Sequence, residues 1–379
     1  MDDLLQSSAM ELRLKWLVFQ LDTPLSTASW PASLQQLSFG FRFNQPIADV
    51  MWPSSLQQVS FGWYFNQPIA EVVWPASLLQ PSFGSRFNQT IADVVWPTFL
   101  QQLDFGDNFD QPIAEVVWPA SLQQLSFLNE FNQPIVNVMW PASLQQLAVL
   151  SLGNRFNQPI VEVMWPTFLQ QLSFGDDFDQ PIAEIVWPAS LQQLSLGFYF
   201  TQAIAEVAWP ASLQQLSLDY FFTQPIVNVA WPVTLQQLSF GFCFNQAVAG
   251  VEWPASLQQL SFGCEFNQPI VESVWPASLR KLLFGNFFNQ PIADVVWPAS
   301  LQQLSFGLHF NQPVTEVAWP PSLQHLKVGD KFQQSLIEVA WPTSLQSVTR
   351  NRASLLWQPS RRHTSGCGSP AFGMQWGYG

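Results

Sequence analysis

The residues that could do chemistry are few. Three histidines, His309, His325 and His363, and three cysteines, Cys243, Cys264 and Cys367, are scattered through 379 residues. General acid–base catalysis needs a proton carrier within hydrogen-bond reach of the reacting group, and a nucleophile needs an adjacent base. No HExxH, GxSxG, phosphate-loop or CxxC pattern brings such groups together. Asp176 and Asp177 are a pair of carboxylates. On an extended chain, however, neighbours point opposite ways, whereas a glycosidase needs two carboxylates facing one bond at a defined separation. The sequence predicts no catalytic residues, no cofactor and no metal site.

Charge narrows the partners. Asp and Glu number 26 against 13 Lys and Arg, a formal net charge of −13. Between Arg155 and Arg280 there is no Lys or Arg at all. Nucleic-acid binding needs cations to displace phosphate counterions, so a nucleic-acid partner is not expected. The opening MDDLLQSSAMELRLKWLVFQL is acidic, and Arg13 and Lys15 break its apolar stretch. It does not read as a secretory signal. No apolar run reaches the length of a membrane span, and three cysteines make no disulfide framework. These features predict a cytoplasmic protein with reduced thiols and no membrane attachment. The oligomeric state is left open.

What positions these residues is a repeat. Trp-Pro recurs from Trp30 to Trp341 at steps of 22 residues, except between Trp140 and Trp165, where the step is 25. The three extra residues are expected near Ala148 to Leu150. Numbered from its Trp, the unit reads WPASLQQLSFGxxFNQPIAEVV. Leu, Leu and Phe stand at repeat positions 5, 8 and 10; positions 8 and 10 alternate in the manner of a short strand with one buried face, with Gln at position 7 and Ser at position 9 facing out. Gly at position 11, as in Gly40, Gly62 and Gly84, suits a turn with positive φ; Leu128 and Asp219 depart from it. Phe at position 14, Ile at position 18, Val at position 21 and the Trp complete the apolar set. Pro at position 2, and usually at position 17, excludes a long helix. Asn at position 15 and Gln at position 16 can hydrogen-bond to neighbouring turns, and Asp110, Asp179, Thr201 and Thr223 keep a short polar group at position 15.

One such unit cannot close a core. Stacked copies can, because each column becomes a continuous line, and each buried Phe or Leu contributes roughly 1.5–3 kcal/mol. The predicted fold is a β-rich solenoid, a leucine-rich-repeat-like stack of about 15 rungs over residues 30–346 with one short parallel strand per rung and few or no long helices. Residues 1–29 read as a degenerate capping rung. Leu12, Leu17, Leu21, Asp22, Pro24 and Leu25 fall on the columns for Leu, Phe, Phe, Asn, Pro and Ile when the chain is shifted by 22. Residues 347–379 lose the period, are rich in Gly, Ser and Pro, and are expected to be disordered.

FNQPI followed by WPASLQQLSFG resembles the FNIP repeat, a 22-residue relative of the leucine-rich repeat. The resemblance covers about residues 30–346 and recurs in nearly every unit. The departure is Trp before the Pro, where that family more often has a smaller apolar residue. The resemblance implies a leucine-rich-repeat-like solenoid serving as a protein-interaction scaffold, with no catalytic residues to carry over. The flanks show no kinase-like or F-box-like segment.

Two positions escape the repeat. Positions 12 and 13 read Phe41-Arg42, Trp63-Tyr64, Ser85-Arg86, Asp107-Asn108, Asn129-Glu130, Asn154-Arg155 and Asp176-Asp177 in the first half. Phe198-Tyr199, Tyr220-Phe221, Phe242-Cys243 and Cys264-Glu265 follow, then Asn286-Phe287, Leu308-His309 and Asp330-Lys331. A constant frame with a variable pair is what a binding array needs, and aromatic residues and Arg are enriched at interface hot spots. Drift after duplication, or packing of these side chains on the next rung, is the other reading. Cys243 and Cys264 lie on neighbouring rungs within possible disulfide reach; an incidental pair is the simpler reading in a reducing compartment.

A second line is acidic. Position 20 holds Asp49, Glu71, Asp93, Glu115, Glu162, Glu184 and Glu206, then Glu272, Asp294, Glu316 and Glu338. It reads as a solvated solubility face, or as an attractor for a basic partner. One carboxylate per rung falls short of the oxygen shell calcium prefers. The function expected is a non-enzymatic protein–protein scaffold using positions 12 and 13. The alternative is a regular-surface binder of ice or a repetitive polysaccharide, using the Gln and Ser lines.

Overall fold

The computed structural model describes residues 14–20, 22–25, 28–141 and 148–350. Each rung contributes one strand at positions 7 to 10, where apolar and polar residues alternate. The chain forms two compact units. The first comprises the described residues up to Gln180 together with Val186–Leu191; the second comprises Pro181–Ile185 and the residues from Gln192 onward.

In the first unit, β1 (Trp16–Phe19), β2 (Gln36–Phe39), β3 (Gln58–Ser60), β4 (Gln80–Ser82), β5 (Gln102–Asp104), β6 (Gln124–Ser126), β7 (Ala148–Ser151) and β8 (Leu169–Ser173) lie side by side in chain order. In the second, the same holds for β9 (Gln193–Leu196), β10 (Gln215–Leu218), β11 (Gln237–Phe240), β12 (Gln259–Ser261), β13 (Lys281–Leu283), β14 (Gln303–Ser305), β15 (His325–Val328) and β16 (Ser347–Arg350). Within each unit neighbouring strands are parallel, and like repeat positions face each other, as in Leu216 opposite Leu238. No described residue is helical. The fold is a parallel β-solenoid of the leucine-rich-repeat type, with 22-residue rungs.

Three tight turns close each rung, each held by a backbone bond from residue i+3 to residue i. In the first full rung Leu34 N–H donates to the Pro31 carbonyl (3.0 Å), Phe43 to Gly40 (3.0 Å) and Val50 to Ile47 (3.2 Å). The same three bonds recur down the stack. They bring positions 5, 8, 10, 14, 18 and 21 inward, so Leu34, Leu37, Phe39, Phe43, Ile47 and Val50 are all buried. Phe43 stacks on Phe65 with ring centroids 6.1 Å apart, and Phe65 on Phe87 at the same spacing. The tryptophans make their own column, with Trp52 on Trp74 at 5.8 Å and Trp253 on Trp275 at 6.1 Å.

Polar columns tie the rungs together. Asn44 Oδ1 accepts the backbone N–H of Asn66 (2.8 Å) and the Gln67 amide (3.1 Å). Asp110 does the same for Asn132 and Gln133, both at 2.9 Å, which explains why a carboxylate is tolerated there. A second ladder runs through position 4, where Ser55 Oγ donates to the Leu34 carbonyl (2.6 Å) and Ser256 Oγ to Leu235 (2.7 Å).

Four expectations are corrected. The position-11 glycines do not adopt positive φ; among the described residues only Gly250, at position 20, does. Glycine is needed because the rungs approach closely: a Cβ on Gly84 would overlap the carbonyl oxygen of Gly62. Leu17 and Phe19 pair with Leu37 and Phe39, so Leu17 occupies the position-8 column and not the Phe column. Asp22 still accepts from Asn44 N–H and Gln45 (both 2.9 Å), and Leu25 is buried like the Ile of position 18. The first rung is two residues shorter between strand and Asp22, which shifts the strand and leaves the rest in place. Residues 148–150 are not extra: they begin β7, with Leu150 opposite Leu125, so the added length falls before them. Finally, Ser347–Arg350 form β16 on β15, because backbone pairing does not require the repeat's side chains. Leu12, Leu21, Cys367, His363 and the tail from residue 351 lie outside the described residues.

Candidate functional site

Positions 12 and 13 form a two-residue turn directly after the strand and its glycine. A recurring backbone bond positions it. The N–H of position 13 donates to the position-12 carbonyl of the preceding rung, as in Tyr64 to Phe41 (3.1 Å), Arg86 to Trp63 (3.0 Å), Glu130 to Asp107 (2.8 Å) and Phe221 to Phe198 (3.0 Å). Side-chain identity is therefore free to vary while the turns stay in line.

The structure brings the candidate side chains into three groups. At the start of the first unit, Phe41 lies over Trp63 (5.9 Å) and edge-on to Tyr64 (5.3 Å), and the Arg86 guanidinium sits 4.4 Å from the Tyr64 ring centre. That geometry is a cation–π contact. Further along, the edge turns polar. Asn129 donates to Asp107 Oδ1 (2.9 Å), Asn154 donates to Asn129 Oδ1 (2.6 Å), and Arg155 pairs with Glu130 at 3.1 Å. Asp176 and Asp177 occupy a turn and not an extended segment, and both are exposed. Crowding by neighbouring atoms, followed by repulsion from Asp177, raises the Asp176 carboxyl above its ordinary value. Arg42 is exposed beside Phe41.

The third group, in the second unit, is aromatic. Phe198, Tyr220 and Phe242 stack at 4.5 and 4.6 Å, and Tyr199 stacks on Phe221 at 5.2 Å. The position-12 rings lean on one another and are half-buried; Tyr199 and Phe221 at position 13 face solvent. Packing against the next rung and exposure to solvent are thus divided between the two positions.

The chemistry-bearing residues do not converge. Cys243 and Cys264 are not joined by a disulfide, and Cys264 is buried. Burial, then the charge of Glu265, pushes the Cys243 thiol up and keeps it protonated. His309 stacks on Phe287 (4.9 Å) with the Lys331 ammonium 3.3 Å from its ring. Burial and that cation hold the imidazole below its ordinary value. His325 Nδ1 is 2.9 Å from Ser347 Oγ. The face of β13–β16 carries a shallow depression of about 450 Å³ lined by Lys281, Gln303, His325, Lys327 and Thr349. Among the described residues no group of three His, Cys, Asp or Glu side chains could hold a metal ion.

The acidic line, from Asp49, Glu71, Asp93 and Glu115 to Glu162, Glu184 and Glu206, is exposed throughout. Beside it runs a feature the repeat reading passed over. Position 22 points outward, and in the first unit Met51, Val73, Val95, Val117, Met139, Met164 and Val186 are all exposed. Its signal was in the sequence. The valine of repeat position 21 belongs to the core, as Val72 and Val94 do, so on an alternating arm positions 20 and 22 must share the outer face.

The model of the FNIP repeat matches residues 43–86, 87–130, 156–199 and 244–287, two rungs at a time. No curated protein matches the chain. The crystal structure of CroV588, a circular leucine-rich-repeat protein, superposes with a TM-score of 0.76 at 41% sequence identity, covering 85% of this chain and 50% of that one. The chain thus spans half the length of that protein. An internalin from Listeria monocytogenes superposes with a TM-score of 0.45 at 14% identity, covering 88% of this chain and 92% of that one. No helix among the described residues is long and apolar enough to cross a membrane.

Proposed function

This chain is an FNIP-repeat protein, and on that premise we propose that it is a non-enzymatic scaffold that binds protein partners through positions 12 and 13. It works in the cytoplasm, without a cofactor. The observation that supports this reading is the division of labour in the variable turn. Backbone bonds fix the turn from rung to rung, and the side chains present aromatic, cationic or acidic groups outward at rung spacing. Exposed aromatic residues over consecutive rungs are the material of interface hot spots.

The aromatic patch around Tyr199 and Phe221 carries most of the affinity. Exposed rings on a rigid frame lose little entropy on binding. The polar stretch from Asp107 to Asp177 sets specificity and contributes less. A lattice-binding role for the Gln and Ser lines draws less support, because these groups bond along themselves: Gln58 donates to Gln80 Oε1 at 2.6 Å, and Ser239 lies 3.2 Å from Ser217.

An affinity pull-down from native cell extract tests the reading. Wild type is compared with Tyr199→Ser/Phe221→Ser and with a variant interrupting the Gln line, Gln58→Ala/Gln80→Ala, after circular dichroism shows all three folded. Specific proteins lost with the aromatic variant and retained with the Gln variant support the scaffold. Identical captures by wild type and the aromatic variant sink it.

A further inference from the structure

We propose that the line of position-22 side chains on the first unit is a second docking surface, and that it takes a basic amphipathic helix of a partner protein. The arm from position 20 to position 22 alternates: the carboxylate faces out, the valine at position 21 faces in, and position 22 faces out again. From Met51 to Val186 every rung of this unit carries Val or Met there, between 67 and 86% exposed. Isolated exposed valines mean little, but a contiguous apolar stripe on a soluble surface marks an interaction site. The second unit gives the contrast within one molecule, because Ala208, Ala230 and Glu252 break the line there.

The occupant is set by shape and charge. Rungs stack at roughly 4.8 Å, and an α-helix rises about 5.4 Å per turn. A helix laid along the ridge therefore meets each rung with about one side chain per turn, the spacing of an i, i+4, i+7 apolar face. Between Val117 and Met139 the ridge opens into a shallow groove of about 350 Å³ with Trp118 and Trp140 in its lining. Trp118 is 7% exposed. The groove thus offers an apolar floor.

The carboxylate line runs beside it, two residues away in each of these rungs except the one that ends at Met139, where Asn137 takes the place, and Glu115 lines the groove. Arg42, Arg86 and Arg155, cations of this unit, sit at position 13 in the turn after the strand, not on this arm. A partner with Leu or Val on one helix face and Lys or Arg on its flank complements both lines.

The test uses the full chain and a synthetic fluorescein-labelled peptide of about five helical turns, with Leu at i, i+4, i+7 and i+11 and Lys on the flanks. Binding is read by fluorescence anisotropy. Val73→Ser/Val95→Ser/Val117→Ser is expected to weaken binding about tenfold or more, a difference of about 1.4 kcal/mol per decade. Val274→Ser/Val296→Ser on the second unit, and Tyr199→Ser/Phe221→Ser on the variable edge, are expected to leave it within about twofold. Should the first variant lose its circular dichroism signal, Glu71→Gln/Asp93→Asn/Glu115→Gln takes its place and must both weaken binding and flatten its salt dependence. The proposal is overturned if these variants bind as wild type does, or if a sequence-scrambled peptide binds equally well. It is also overturned if the ridge variant changes the sedimentation of the protein alone, which makes the ridge an interface between copies, or if the wild type binds lipid vesicles through the ridge in preference to the peptide.

Discussion

Phe221 and Phe222 are neighbours in the chain and belong to different regions of the molecule. Phe222 is fully buried and stacks between Phe200 and Phe244 at 6.2 Å on either side. Phe221 stands on the outer edge over Tyr199. The inner column is invariant because each ring is the wall against which the next ring packs. The outer pair varies because a backbone bond recurs from turn to turn whatever its side chains are. In a stack, then, constancy measures how much of a side chain the next rung uses. It says nothing directly about binding, and the exposed aromatic rings stand out because neither packing nor turn geometry requires them.

The largest effect should separate these two residues. Phe222→Ala opens a cavity in the core and is expected to cost about 3–5 kcal/mol, read as a drop in the urea midpoint. Phe221→Ala should cost under about 1 kcal/mol. Equal losses would erase the distinction between column and edge. Next comes the glycine between strand and turn. Gly263→Ala sets a Cβ against the carbonyl group of Gly241 and is expected to cost about 2–3 kcal/mol. The damage should be local, so hydrogen exchange should quicken first in the rungs around β11 and β12. Smaller again is Asn66→Ala, which strips the acceptor from Asn88 N–H (2.9 Å) and from the Gln89 amide (3.0 Å). Two donors left half-buried should cost about 1–2 kcal/mol. Asn66→Asp should be nearly neutral, as Asp110 occupies the same column with the same bonds.

Counting residues revealed the columns, and the columns revealed the fold. Leu37, Phe39, Phe43 and Ile47 point inward as their period requires, and Asn44 bonds to the next rung as its recurrence suggests. The reasons behind some columns were harder to read. Glycine at position 11 is explained by the approach of two rungs, a property of the stack that no single unit contains. Leu128 and Asp219 stand in that column with side chains, and nothing in the structure explains how their rungs accommodate them. A shift of 22 puts Leu17 on the Phe column because it assumes equal rung lengths, and the first rung is two residues short before Asp22. The ridge from Met51 to Val186 is written in the sequence but hidden by the likeness of its letters to those of the core. Val72 and Val73 look alike as letters; only the alternation of the arm gives one to the core and the other to solvent.

The smallest effect concerns a carboxylate inside the frame. Asp104 holds position 9 of β5, opposite Ser82 and Ser126, where most rungs carry serine. The residue is exposed as a whole, but neighbouring atoms crowd its carboxylate. That desolvation raises its pKa above the ordinary carboxylate value, and a hydrogen bond with Ser126 offsets part of the rise. The folded state therefore holds the proton more tightly than the unfolded chain does. Below the ordinary value both states are protonated and no penalty applies. As pH rises from the ordinary value to the raised one, the unfolded chain ionises first and stability falls. Above the raised value the penalty is complete. Asp104→Ser, which restores the common residue of the column, is expected to stabilise the protein at about pH 7 and to lose that advantage near pH 3. Paired urea titrations of wild type and variant at the two pH values measure the difference. An advantage that persists unchanged at the lower pH would assign the gain to strand packing and leave the carboxylate no part in it.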